Sequence, residues 1–96
     1  MPRIRYLVCY DIADPKRLRR VAKVLEAYGR RLQLSVFECS LDKQRYTQAK
    51  TELAEILNHA EDQVLFVSLG TSGDDSSILI EAMGLSYTGR PRVTVI

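Results

Sequence analysis

The sequence predicts an α+β fold in which an antiparallel sheet carries two helices on one face. Three observations lead there. Apolar runs of strand length open the chain and recur after each helical stretch, and two segments repeat their apolar residues at helical spacing. The resulting order is strand, helix, two short strands, helix, strand. The 96 residues suffice for one hydrophobic core and not for two. The chain 1–96 therefore reads as a single domain, with its core over about 4–70 and a C-terminal extension over about 71–96.

Ile4 to Tyr10 is apolar except for Arg5 and rich in aromatic and branched residues, the pattern of a central strand covered on both faces. The helix that follows is capped by Asp14, starts on Pro15 and repeats Leu18, Val21, Ala22, Leu25 and Tyr28 at helical spacing. Gly29 is expected to supply its left-handed exit. Lys16, Arg19, Arg20 and Lys23 fall on the opposite face, and Arg17 sits on the first turn, close to Asp11. From Leu32 to Leu41 the apolar positions change parity, from Leu32, Leu34 and Val36 to Phe37, Cys39 and Leu41. Side chains alternate strictly along a strand, so this shift requires a bulge or break near Ser35 to Phe37, giving two short strands or one strongly bent one.

Asp42 caps a second helix with apolar positions Tyr46, Ala49, Leu53, Ile56 and Leu57, fading at Asn58-His59. Gln63 to Leu69 is another apolar strand, closed by Gly70. Beyond it, Thr71 to Ser77 reads as a polar turn, Ile78 to Ala82 as a short strand or a helical turn, Ser86 to Pro91 as a loop and Val93 to Ile96 as a short strand. Together these make the ferredoxin-like βαββαβ plan with a C-terminal strand extension.

That plan leaves a sheet face bare. The first strand is apolar on both sides, yet both helices lie on one, and an apolar face of several hundred Å² is, on the order of magnitude, unusual for a monomer. A sheet-to-sheet homodimer with two-fold symmetry would cover it, and the C-terminal strand is a candidate to add to the partner's sheet edge.

Composition narrows the function classes. With 46% hydrophobic and 27% charged residues the chain is an ordinary globular one. It contains no run near the roughly 20 apolar residues of a membrane span, and Met1-Pro2-Arg3-Ile4-Arg5 leads directly into a strand. Cys9 and Cys39 lie in apolar runs without paired spacing and read as buried, reduced thiols, which makes a cytoplasmic location the expectation. Residues 1–31 hold nine basic and three acidic side chains, whereas residues 32–96 hold five basic and nine acidic ones. The first third is thus the expected polyanion surface.

Asp11, at the carboxyl end of the first strand and beside a basic helix, is the leading candidate for chemistry. One carboxylate is a poor magnesium site, but two copies facing each other across a dimer axis would bring two ligands to one shared ion. The competing reading is a strand-end acid that starts a turn or pairs with Arg17. Arg17, Arg19, Arg20, Arg30 and Arg31 each suit a phosphate through the guanidinium fork, with Arg31 best placed near the end of the first strand. Ser35 either donates to a phosphate or water or satisfies local backbone. Tyr10 and Phe37 read first as core and second as stacking platforms. Asp14 reads as a cap. His59, the single histidine, is expected in solvent, so no Ser-His-Asp set arises, and Gly73-Asp74-Asp75 is too short for a calcium loop.

Three motifs then carry a resemblance. Tyr10-Asp11-Ile12-Ala13-Asp14 closing the first strand, Tyr28-Gly29 followed by Arg31 and Gln33, and Ser35-Val36-Phe37-Glu38 resemble the CRISPR-associated protein Cas-two family over roughly residues 4–70. The resemblance implies a ferredoxin-like homodimer in CRISPR adaptation, which bridges dimers of the integrase Cas-one and holds the duplex DNA of a new spacer. It also implies, for many members, a magnesium-dependent endonuclease acting on single-stranded RNA or double-stranded DNA. Residue by residue, Asp11 would bind the metal, with Arg17, Arg19, Arg31, Ser35 and Phe37 in supporting roles. Ala13 stands where the family often has serine, and the C-terminal segment has no residue-by-residue match. Two other readings stay open: a non-catalytic DNA-binding scaffold, and a toxin-type messenger RNA endonuclease.

Overall fold

The computed structural model describes residues 2–70, 79–86 and 94–95. In chain order the elements are β1 (Ile4–Asp11), α1 (Pro15–Glu26), β2 (Gly29–Gln33), β3 (Val36–Leu41), α2 (Lys43–Ile56), β4 (Gln63–Ser68), β5 (Leu79–Gly84) and β6 (Thr94–Val95). The strands form one sheet in the order β2-β3-β1-β4-β5-β6. All neighbours pair antiparallel except β5 and β6, which run parallel. The first four strands and two helices give the expected ferredoxin-like order, with β1 in the interior.

Alternation along β1 sets the two faces. Tyr6, Val8 and Tyr10 are buried, whereas Leu7 and Cys9 are only half-buried and Arg5 and Asp11 are exposed. The register places Phe37 and Phe66 beside Val8, and Val64 beside Tyr10, on the buried face. There they pack against Val21, Ala22 and Leu25 of α1 and Leu53 and Leu57 at the end of α2. Each such side chain contributes about 1.5–3 kcal/mol by leaving water. Tyr6 stacks on Tyr46 with ring centroids 4.7 Å apart, and Phe66 meets both rings edge-on. Glu81 of β5 accepts from the Tyr46 hydroxyl and pairs with Lys50 Nζ at 2.8 Å, pinning α2 over the sheet.

The helices start as their sequences dictate. Asp14 and Asp42 both hold extended backbone, and their carboxylates accept from the N–H groups of Arg17 and Arg45 at 2.9 and 2.8 Å. One expectation changes, and two left open are resolved. Gly29 is not a left-handed exit: positive φ among the described residues is confined to Gly70 and Gly84. Gly29 instead begins β2, where a Cβ would stand 2.2 Å from the Glu38 carbonyl oxygen and 2.6 Å from Cys39 Sγ. Glycine is needed for close strand approach. The parity change resolves into a hairpin, with a turn at Leu34-Ser35 between two strands and a register shift between Arg31 and Gln33. The segment near 78–82 is a strand, β5. The C-terminal β6 lies along β5 of its own chain. The expected turn at 71–77 and most of the loop at 86–91 fall outside the described residues.

Candidate metal and nucleic-acid site

β1 places Asp11 at the carboxyl end of the sheet, opposite Gln63 of β4. Following Tyr10, it projects from the face away from the helices, and it is exposed. Among the described residues no hydrogen bond or ion pair engages its carboxylate, and Arg17 does not reach it. No group of three metal-ligating side chains occurs within the described residues of one chain. The donor set therefore fits a hard cation only as a shared one: an open, hydrated carboxylate that leaves most coordination positions to water or phosphate.

At the same end of the sheet, on the helix side, a groove of about 320 Å³ runs between α1 and the β2–β3 hairpin. Its lining includes Arg19, Arg31 and Ser35 together with Tyr10, Leu18, Ala22 and Leu34. The hairpin turn is tied to β1 by two bonds: the Tyr10 N–H donates to the Ser35 carbonyl at 3.1 Å, and the Tyr10 hydroxyl donates to the Leu34 carbonyl at 3.0 Å. Burial pushes the Tyr10 phenol up in spite of the nearby Arg31, so it remains a neutral donor. The Arg31 guanidinium lies 5.2 Å from the centroid of the Phe37 ring, a cation–π placement that leaves its charge facing the groove rim. Leu34, at the hairpin tip, is 86% exposed.

The structure thus brings Arg19, Arg31 and Ser35 together and separates the other sequence-predicted residues from them. Arg20 is exposed on α1 outside this groove. Phe37 has 0% exposure, so its ring has no surface to offer a base, and it serves the site by carrying Arg31. Arg30 is paired with Glu38, which Arg5 also holds at 2.7 Å. These arginines keep the Glu38 carboxyl below its usual range.

Arg17 is committed inward. Its Nε donates to Asp62 Oδ2 at 2.8 Å and its Nη2 to Glu61 at 3.0 Å. Asp62 carries no local motif in the sequence. It is fully buried and accepts two further bonds, from the N–H groups of Ala13 and Asn58, both at 2.9 Å. Burial alone would push its carboxyl up; Arg17 and the two backbone donors together outweigh that and hold it at about 2. The sequence signal is an acid pair, Glu61-Asp62, in a short turn immediately before β4. The expected solvent position of His59 holds; its ring is exposed, near the Ala54 carbonyl at 3.4 Å.

Comparison with known proteins gives a consistent result. Residues 4–76 match the family model described as CRISPR associated protein Cas2. A protein of Rhodospirillum rubrum named CRISPR-associated endoribonuclease Cas2 1 is 38% identical over 91 residues, covering 95% of this chain and 88% of its own. A Geobacter sulfurreducens protein named CRISPR-associated endoribonuclease Cas2 is 48% identical over 65 residues, 68% of each chain. The crystal structure of Streptococcus pyogenes Cas2 at pH 6.5 superposes with a TM-score of 0.65 and 41% identity, over 69% of this chain and 86% of that one. A match of this extent, carried by the strand order described above, places the chain in the CRISPR-associated protein Cas2 family.

Proposed function

We propose that this protein is a metal-dependent endonuclease that cleaves phosphodiester bonds in single-stranded RNA or double-stranded DNA and acts in CRISPR adaptation. The observation that carries the reading is Asp11: an exposed carboxylate, free of protein partners among the described residues, at the end of an interior strand. Family membership and the endoribonuclease names of the relatives support it.

The site is proposed to be complete only in a homodimer. Leu7, Cys9, Val36, Leu65, Val67 and Ala82 are half-buried on the sheet face that the helices leave open. Burying an apolar face of this kind against its own copy drives association. Asp11 of each protomer would then hold one magnesium ion, which supplies charge neutralisation and a more acidic water when bound. Arg19, Arg31 and Ser35 bind and orient the substrate backbone from the groove, with Arg31 held in place by the Phe37 ring. Cas-one is the expected protein partner of the dimer, in the cytoplasm.

Asp11→Asn compared with wild type on short RNA and DNA, in magnesium and in chelator, tests this. Magnesium-dependent cleavage by wild type alone is the expected result; equal cleavage by both, or by neither, removes the catalytic role of Asp11.

A second reading has its own observation. Lys16, Arg19, Arg20 and Lys23 are all exposed on α1, and among the described residues none of them forms an ion pair. Such a face suits a non-catalytic scaffold that tracks duplex DNA and bridges Cas-one. Duplex affinity that falls with salt in Asp11→Asn as it does in wild type, with no cleavage by either, is its mark.

A further inference from the structure

Asp62 lies at a junction of four chain segments. Its Oδ1 accepts from the Ala13 N–H at 2.9 Å and from Arg17 Nη2 at 3.3 Å; its Oδ2 accepts from Arg17 Nε at 2.8 Å and from the Asn58 N–H at 2.9 Å. Its backbone is fixed as well. The N–H donates to the Asn58 carbonyl and the carbonyl accepts from the Leu85 N–H, both at 2.8 Å. Gly84 closes against it, with φ +83 and an added Cβ only 2.1 Å from the Asp62 carbonyl oxygen. The residue it grips in the loop after β1, Ala13, is two beyond Asp11, and its chain neighbour Gln63 is the cross-strand partner of Asp11.

We propose that Asp62 is the positioning residue for Asp11, and that Arg17 serves the site through Asp62 rather than as a phosphate ligand. The inference rests on the metal-dependent reading given above. Asp62 joins both sides of Asp11: its carboxylate holds the Ala13 N–H at the exit of β1, and its backbone runs directly into Gln63, the β4 residue opposite Asp11. Arg17 supplies the charge that keeps that carboxylate ionised inside the protein, and two of its guanidinium nitrogens are spent on Asp62 and Glu61. An open phosphate ligand would be held by neither.

Asparagine at this position is a sharp probe. It keeps the shape but replaces one acceptor oxygen with an amide that points its hydrogens at N–H donors. Arg17, 22% exposed in its side chain, gives a second variant that does not cut into the core. Wild type, Asp62→Asn, Arg17→Gln and the double variant are compared in three measurements: manganese(II) affinity by electron paramagnetic resonance, single-turnover cleavage of a short RNA, and RNA affinity in chelator across a salt series. Each single variant is expected to weaken manganese binding and to lower the single-turnover cleavage rate by about tenfold or more, the usual scale for a group that orients a ligand. The double variant should be no worse than the worse single one, because both break one unit. RNA affinity in chelator and its salt slope should stay at wild-type values.

The proposal is overturned if Asp62→Asn leaves manganese affinity and the single-turnover cleavage rate unchanged. It is equally overturned if Arg17→Gln lowers the salt slope by about 0.7, the loss of one phosphate contact on a single strand, or if the two losses multiply in the double variant. Failure of the metal-dependent reading itself shows in the wild-type arm, as absent manganese binding and absent cleavage, before any variant is considered.

Discussion

Asp11 ends β1 and faces Gln63, and Asp62 stands immediately before Gln63 in the turn that leads into β4, yet the fold treats the two acids in opposite ways. Asp62 is fully buried and its two oxygens accept from Ala13, Asn58 and Arg17. Asp11 is exposed, and among the described residues nothing donates to it. A buried carboxylate persists only when donors and a counter-charge replace its water. A carboxylate left in water with no partner contributes little to stability and is free for a ligand. The contrast separates an acid that the architecture consumes from one that it presents.

Exchanging each acid should separate the two roles, beginning with the largest effect. Asp11→Asn should lower magnesium-dependent cleavage at least about 100-fold, the loss of a metal ligand worth several kcal/mol. Its urea unfolding curve should stay within about 0.5 kcal/mol of wild type, as for an exposed, unpaired side chain. Asp62→Ala reverses the pattern in stability. Removing one partner of a buried pair strands the Arg17 guanidinium and the two N–H groups, and should cost about 3–5 kcal/mol by the same unfolding measurement. If Asp11 proved the costlier of the two to remove, the contrast would be broken.

Two smaller effects sharpen it. Gly84→Ala places a methyl against the Asp62 carbonyl at a φ of +83 and should destabilise by about 1–3 kcal/mol. The damage should concentrate at the Asp62 end of the sheet, read as faster amide exchange at Ala13 and Leu85. The pH dependence follows from the Asp62 carboxyl, whose ordinary value of 3.8 falls to about 2 in the folded protein. Because the folded value is the lower one, its stabilising contribution is present above about pH 4 and is lost as pH falls toward about 2. Acid titration of stability should therefore be shallower through that window in Asp62→Asn than in wild type.

The difference between the acids also shows what a sequence can reveal. β1, both helices and β4 were legible because their order is local: apolar periodicity, Asp14-Pro15 and Asp42 at the helix starts, and Gly70 after the strand. Asp11 was legible for the same reason, as an acid that ends an apolar run. Asp62 was not, since its meaning comes from partners 45 and 49 residues away in the chain. Arg17 was drawn toward the phosphate role because its basic neighbours on α1 face solvent, while its own position on the first turn directs it to the β4 start. Phe37 lies in the Ser35-Val36-Phe37-Glu38 run, but strand parity turns its ring into the core and leaves Arg31 above it. Gly29, following a helix, reads as its exit. Its actual constraint, the approach of Glu38 and Cys39 across the β2–β3 ladder, is invisible until the strands are paired.

The central claim is that Asp11 is half of a metal site completed by a second copy of the chain. Metal stoichiometry tests it most directly, by manganese(II) titration of the purified protein at concentrations where its oligomeric state is measured in parallel. The account predicts one ion for every two chains in a dimer, and no such site in Asp11→Asn. One ion per chain, or undiminished binding in the variant, would contradict it.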